Sequence, residues 1–508
     1  VSAPADSHRP SFLIGAATNW LAFAATLAVS FFLTPYLIGS LGADRYGVWC
    51  VVESVLAYFT LLDMGVAACL VRYVARHHAA GRRDDLNRMA SSCLGLYIAA
   101  GLVALLLGAP VLLALTSKLE AQAGHPGDVL PFMLLMLANL AATLPLSVFP
   151  SVLDGLERFA AKSAVRIGFL AVRTIGVVWA MTEYGGLLPL AIVYTVVNIA
   201  EHATMGVLCF RFLPGLQFRF DLIDRATLRE VRGYSVDAFL AMLAGRVTVQ
   251  TGAIVAGLLL PGGQVTVFVV AARLVEYAKT LLRTITTTLT PGVSAMEARG
   301  DADGIRRLFL AGTRWVLYIV LPVNLGLWFF GRSFLIRWVP LVGAEAVLPL
   351  AILAATLTLA VAQSVASRML YGMGRLRLFA RLALAEAGLN LLLTLSLVMP
   401  FGVGGVAVAV AVPNLLFCVV VIGHACRVVG VSGWEYLAAW RKPMLAGLVP
   451  AVVWLLIGSV EPNWSAIGTA IGVGLVPYAI VVTAIEWGRK IAGQGMSDVR
   501  ERVTTGAA

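Results

Sequence analysis

Long apolar runs alternate with short polar, basic segments along nearly the whole chain. A transmembrane helix needs roughly 17–25 apolar residues, and a β-barrel strand needs a shorter alternating pattern. The runs here are of the first kind. The pattern predicts fourteen helical spans, at about 12–40, 46–71, 90–116, 130–153, 165–182, 186–210, 234–259, 264–291, 308–331, 346–369, 379–399, 404–426, 443–460 and 464–487. Spans two and eight carry charges and qualify by length. The first run is too long for the apolar core of a cleaved signal and is expected to remain as a span.

Composition sharpens this picture. Of 508 residues, 60% are hydrophobic and 13% charged, with a mean hydropathy of +0.89. An ordinary soluble domain has about 25% charged residues, so too little polar surface remains to coat a soluble fold of this size. A soluble enzyme, a disordered scaffold and a secreted disulfide domain are excluded. The six cysteines, Cys50, Cys69, Cys93, Cys209, Cys418 and Cys426, lie in or beside apolar runs with no CxxC, and read as small buried hydrophobes. No metal or cofactor motif appears. No P-loop is present, so ATP-driven pumping is not encoded in the chain.

The net charge of +11 is explained by topology rather than by nucleic acid. With a cytoplasmic N-terminus, 27 Lys and Arg fall in inside segments and only four outside: Arg45, Lys118, Arg332 and Arg337. A shift of one span destroys this asymmetry, so both termini are expected inside. The outside connections are short, for example Leu260-Pro261-Gly262-Gly263, and read as tight turns between antiparallel helices. The longest of them lack the charged or His constellation of a polysaccharide polymerase or ligase, the enzyme alternative. The chain is read as a non-enzyme.

An internal repeat is visible. ARHHAAGRRDDLNRM, Ala75–Met89, aligns with SAMEARGDADGIRRL, Ser294–Leu308. Gly81 with Gly300, Asp84 with Asp303 and Arg88 with Arg307 share an offset of 219, which also places the turn at 42–49 on 261–268. An offset of six spans keeps both halves in the same orientation, a parallel repeat of the transporter type. The expected organisation is a cytoplasmic N-terminus (1–10), an N-lobe of six spans (11–211), a cytoplasmic linker (212–233), a C-lobe of six spans (234–427), two further helices (428–487) and a cytoplasmic tail (488–508).

Seven cations remain within or beside the spans: Arg173, Arg246, Arg273, Lys279, Arg283, Arg314 and Arg368. A charge at the bilayer centre costs about 2.5–3.5 kcal/mol on insertion scales, so such groups face the bundle interior or a wet cavity. In span eight, Arg273, Glu276, Lys279 and Arg283 are spaced 3, 3 and 4 apart and fall within an arc of about 120°. A net-positive stripe of this kind suits a diphosphate, for which Arg supplies a planar fork and Lys a mobile charge. Arg246, Arg273, Lys279, Arg283 and Arg173 are therefore the candidate substrate-binding residues. Glu53, Asp63, Glu201, Asp237, Glu276 and Glu386 are candidates for ion coupling or charge pairing, Glu201 together with His202.

The stretch Leu33–Leu86 carries Pro35 closing the first span, Leu41-Gly42, Tyr46-Gly47-Val48-Trp49, Leu62-Asp63-Met64-Gly65, Arg72 and the basic loop with Gly81. It resembles the Wzx-like polysaccharide flippases of the MOP superfamily. Tyr46 and Trp49 are expected at the membrane interface. Asp63 and Gly65 are expected to mark a break or close packing. The resemblance implies two six-helix lobes facing a central cavity, alternating access, and a monomer in the inner membrane of a cell. It implies a lipid-linked oligosaccharide as substrate, moved from the cytoplasmic to the outer leaflet for O-antigen, capsule or exopolysaccharide, with the polymerase and co-polymerase of that pathway as partners. A MurJ-like lipid II flippase and a MATE-type cation-coupled antiporter are the alternatives. MurJ-like chains carry arginines in the first span, where this chain has Asn19. MATE-type relatives often place a coupling acid there, and none lies between Ser11 and Ser40.

Overall fold

The computed structural model describes residues 9–124, 127–224, 236–375 and 377–505, with side chains described outside 9–17, 19, 236–241 and 488–505. The described chain is all helix apart from turns and two short 3-10 segments. The helices are α1 (Arg9–Leu41), α2 (Ala43–Phe59), α3 (Val66–Ala79), α4 (Arg83–Ala123), α5 (Val129–Leu146), α6 (Val148–Gly155), α7 (Phe159–Glu183) and α8 (Leu187–Phe212). They continue as α9 (Val236–Leu259), α10 (Gln264–Thr287), α11 (Leu289–Ala298), α12 (Ala302–Trp338), α13 (Val347–Ala354), α14 (Leu357–Gly372), α15 (Arg377–Val429), α16 (Gly433–Ile457) and α17 (Trp464–Thr505).

Twelve helical stretches among the described residues are long and apolar enough to cross a membrane. The fold is that of a multi-pass membrane protein. α15 counts once among the twelve, yet its 53 residues are two stretches: Gly402 has φ 55° and ψ −137°, and Gly405 lies against the carbonyl of Leu397. Residues eight apart in a straight helix are about 12 Å apart, so the chain doubles back here. α10 is not among the twelve, because its 24 residues include the four charges of the stripe. These two features account for the difference from the fourteen spans expected.

The expected repeat is visible in the boundaries of the helices. α4 begins at Arg83 and α12 at Ala302, 219 residues later, and α3 and α11 end at Ala79 and Ala298, again 219 apart. α7 and α15 begin at Phe159 and Arg377, one residue short of that offset. A packing detail recurs as well. A Cβ on Gly155 would meet Val74 Cβ at 2.7 Å and the Val71 carbonyl at 2.9 Å. A Cβ on Gly372 would meet Val293 Cβ at 2.6 Å and the Thr290 carbonyl at 3.2 Å. Val74 and Val293, like Val71 and Thr290, are 219 apart. In each half a glycine at the end of one helix lets another helix approach to backbone contact.

By packing, the chain divides into two compact units, 1–266 and 267–508. This division falls beyond the 212–233 linker of the sequence reading, because α9 packs along α2. Tyr58 and Thr251 share a hydrogen bond of 2.8 Å, and the Gln122 side chain donates to the carbonyls of Gly257 (2.7 Å) and Leu260 (3.2 Å). Thr266 Oγ1 donates to the Ala43 carbonyl at 2.5 Å within the first unit. In the second unit α16 and α17 dock on α12. Trp454 is fully buried and donates to the Ala470 carbonyl at 2.8 Å, and Tyr478 donates to the Tyr318 carbonyl at 2.6 Å.

Three local expectations are corrected. Tyr46 and Trp49 are 1% and 4% exposed, not interfacial; Trp49 packs on Phe132 and Tyr194 with ring centroids 5.5 and 4.9 Å away. The rings fill the core of the first unit because α2 is enclosed by its neighbours. Pro35 does not close a span but lies inside α1, which runs to Leu41. The second span is broken: Met64 and Gly65 both take left-handed backbone (φ 46° and 81°) between α2 and α3. The break expected at Asp63-Gly65 is there, and all six cysteines are buried thiols, as expected.

Candidate functional site

Within the first unit, α7 and α8 place a set of polar side chains around a cavity of about 270 Å³. α7 contributes Lys162, Arg166, Leu170 and Arg173, spaced 4, 4 and 3, which is one helix face. α8 contributes Asn198, Glu201, His202 and Met205 on the same periodicity. Thr26 of α1 and Pro150 of α6 complete the lining.

Arg173 is the best-anchored member. Its Nη2 donates to Asn198 Oδ1 at 2.7 Å and to Glu201 Oε2 at 2.9 Å, and its guanidinium carbon lies 5.5 Å from the centre of the Tyr194 ring. Tyr194 is in turn packed on Trp49, so the motif residue Trp49 supports the arginine through one intervening ring. Arg173 Nε is buried and has no hydrogen-bond partner among the described residues. Lys162 is held by Asp154 at 2.5 Å, while Arg166 is exposed at the cavity mouth. His202 Nδ1 lies 2.8 Å from the Asn198 carbonyl. Since a carbonyl can only accept, Nδ1 carries the proton and Nε2 remains available as acceptor or second donor. Three cations and Glu201 line the cavity, and Asp154 compensates Lys162 from the side, leaving one net positive charge.

A second polar group lies in the other unit. Glu386 of α15 is buried at 8% exposure and accepts from Asn414 Nδ2 at 2.8 Å across the α15 hairpin. Lys279 and Arg283 of α10 act electrostatically on the same carboxylate. Arg314 of α12 pairs with Glu486 of α17 at 3.4 Å, and Tyr318 donates to the same carboxylate at 3.2 Å. Arg368 lies over the Tyr371 ring at 5.7 Å.

Residues 14–297, more than half of the chain, match the family described as Polysaccharide biosynthesis protein. The chain belongs to that family. The uncharacterized membrane protein EpsK of Bacillus subtilis (strain 168) is 28% identical over 97 residues, 19% of either chain. Among solved structures, the lipid II flippase MurJ in an inward closed conformation superimposes with a TM-score of 0.73 at 12% identity, over 94% of this chain and all of that one. An inward-facing multidrug resistance MATE family transporter of the MOP superfamily gives 0.67 at 14%, over 82% of this chain and 98% of that one. A MOP superfamily transporter from Pyrococcus furiosus, whose binding pocket is described as reversed in polarity, gives 0.56 at 14%, over 83% and 94%. At these identities the likeness is one of fold: this polysaccharide biosynthesis protein has the MurJ and MATE architecture.

The sequence-predicted residues of this family member are distributed between the two groups. Arg173 and Glu201 meet in the first-unit cavity. Lys279 and Arg283 act electrostatically on Glu386 in the second-unit group, without a direct ion pair among the described contacts. Glu276 is exposed on α10, with Thr280 donating to its carboxylate at 3.4 Å. Arg246 on α9 and Arg273 on α10 are half-buried, and Glu53 on α2 is exposed. Asp63 is engaged locally, accepting from Tyr97 Oη at 2.6 Å and from the Ala67 amide at 3.2 Å, so it braces the start of α3. The side chain of Asp237 lies outside the described residues. Sequence reasoning singled out His202 with Glu201 but missed Lys162, Arg166 and Asn198 as cavity residues. Their spacing relative to Arg173 and Glu201 was the available signal, but the tally of inside charges had already absorbed the two cations.

Proposed function

We propose that this member of the polysaccharide biosynthesis family is a flippase. It moves undecaprenyl-pyrophosphate-linked oligosaccharide repeat units from the cytoplasmic to the outer leaflet of the inner membrane by alternating access, with fourteen spans and both termini inside. The observation that carries the reading is the Arg173 cavity: a polar, net-positive space on membrane-spanning helices, lined also by Lys162 and Arg166, two of the cations that the sequence reading assigns to the cytoplasmic side. A diphosphate with sugars attached needs charge-assisted donors and hydroxyl-sized polar partners, and the cavity offers guanidinium, amide and imidazole groups together. Driving force comes from an ion gradient or from the lipid's own concentration difference. A MATE-type antiporter for cationic drugs fits the lining less well, since its net charge would repel them.

The test is the lipid-linked oligosaccharide pool of each leaflet in a deletion strain. Build-up of complete repeat units on the cytoplasmic leaflet, with surface polymer lost, is the expected result. Unpolymerised units stranded on the outer leaflet would point instead to a polymerase or ligase. Unchanged pools would leave drug efflux as the function.

A further inference from the structure

The Arg173 cavity has a neighbour on the same two helices. Further along α1 and α7 lies an apolar groove of about 260 Å³, lined by Val29, Phe32, Leu33 and Tyr36 of α1 and Thr174 and Val178 of α7. The two spaces follow one another in register. Thr26 of α1 faces the polar cavity with Leu170 and Arg173, and the next residues on both helices line the groove. Thr174 spends its hydroxyl on the Leu170 carbonyl at 2.8 Å and so presents its methyl group. The far end is closed where Tyr36 Oη donates to the Val178 carbonyl at 3.2 Å. From Thr26 to Tyr36 the seam runs about 15 Å along α1. Phe32 is 71% exposed, so the groove is open at its side.

A polar compartment with net positive charge and an apolar slot, lined by successive residues of the same two helices, are together complementary to an anionic head on a single chain. We infer that the α1/α7 seam is a docking site for a polyprenyl phosphate lipid, with the phosphate on Arg166, Arg173 and His202 and the first isoprene units in the groove. The inference rests on the flippase reading and specifies where the carrier lipid of that substrate is held. Glu201 does not oppose it. The carboxylate occupies one nitrogen of Arg173 and fixes the guanidinium in the lining of the cavity, beside the exposed Arg166. A two-chain phospholipid would place only one of its chains in the slot.

The experiment uses the purified full-length chain and native mass spectrometry, titrating undecaprenyl phosphate, undecaprenol, inorganic pyrophosphate and phosphatidylglycerol separately. Undecaprenyl phosphate is expected to bind at least tenfold more tightly than undecaprenol or phosphatidylglycerol. Arg173→Ala is expected to remove that preference while leaving undecaprenol binding unchanged. Val178→Trp, which fills the groove, is expected to weaken both polyprenyl lipids at least tenfold. Because Arg173→Ala also unpairs Glu201, Arg166→Ala at the exposed mouth serves as a second head variant and is expected to weaken only the phosphate lipid. Equal binding of phosphatidylglycerol would make the seam an ordinary lipid contact and overturn the inference. Pyrophosphate binding as tight as the lipid, and indifferent to Val178→Trp, would overturn it in favour of a soluble-anion site. Leaflet pools separate this inference from the flippase reading: a Val178→Trp chain that flips normally sinks the docking site alone, whereas lipid binding in a chain whose deletion leaves the pools unchanged sinks the flippase alone.

Discussion

Arg173 Nη2 donates to Glu201 Oε2 at 2.9 Å, joining α7 to α8 with side chains that are 22% and 12% exposed. An ion pair this far from water is a poor source of net stability, but removing one partner leaves the other charge buried and uncompensated, at a cost of order 3 kcal/mol. The pair therefore gives a clean separation of folding from function. Arg173→Ala and Glu201→Gln should each lower the amount of protein in the membrane. The double variant should recover abundance, because no unpaired charge remains, yet still fail to export polymer, because the cation is gone. Export by the double variant at normal levels would make the pair purely structural.

The repeated glycine contact supports a second prediction. Gly155→Ala places a methyl group 2.7 Å from Val74 Cβ, and Gly372→Ala does the same at 2.6 Å from Val293 Cβ. Overpacking of this kind typically costs about 1–3 kcal/mol. Each variant should lower the melting temperature in detergent. Val74→Ala should partly rescue the first and Val293→Ala the second, with no rescue across the two pairs. Rescue by the wrong valine would show that the two contacts are not independent local packings.

How much of this was visible in the residues can be argued from the same positions. The repeat was legible because the offset of Gly81 and Gly300 is a property of the chain, and helix boundaries such as Arg83 and Ala302 keep it. The charged stripe of span eight was read from spacing, and the break near Gly65 from an acid set beside a glycine within the second apolar run. Other features needed the third dimension. Trp49 has the composition of an interfacial anchor, and only the surrounding helices reveal that it packs on Phe132 and Tyr194. Lys162 and Arg166 look like ordinary inside charges until α8 brings Asn198 and His202 across from them. Glu386 and Asn414 are 28 residues apart, and their hydrogen bond exists because the chain reverses at Gly402.

That hydrogen bond makes a third prediction. Asn414→Ala leaves one oxygen of buried Glu386 without its donor, a loss of about 1–3 kcal/mol. Asn414→Asp sets a second carboxylate beside the first and should be worse. Asn414→Gln, which keeps the amide on a longer stem, should fall between wild type and Ala. Membrane abundance and thermal unfolding of the three variants check the order. Equal behaviour of Ala and Asp would mean that the Glu386 carboxylate is neutral in the folded chain.

The last two helices give a fourth. Arg314 and Glu486 tie α17 to α12 at 3.4 Å, with Tyr318 donating to the same carboxylate. Glu486→Ala strands Arg314 at 14% exposure and removes the acceptor of Tyr318, so α17 should loosen from α12. Faster proteolysis after α16 in intact membranes is the expected sign. Glu486→Gln keeps an acceptor for Tyr318 and should be milder. If Ala and Gln were cleaved no faster than wild type, α17 would be held by the apolar contacts around Tyr478 and the fully buried Trp454 alone.

The candidate cations outside the Arg173 cavity are the sharpest test of where substrate charge is met. Arg246 on α9 and Arg273 on α10 are half-buried cations on helices of the bundle. If they meet the diphosphate, Arg246→Ala and Arg273→Ala abolish polymer export while the protein remains folded in the membrane. Lys in either place restores part of the export, since it keeps the point charge and loses the fork. Glu is worse than Ala, because a like charge repels the anion where an apolar group merely fails to bind it. Normal export by both Ala variants at normal abundance would confine anion recognition to the Arg173 cavity. The carrier lipid's head would then be bound by Arg166 and Arg173 of α7 with His202 of α8 rather than by the stripe of α10.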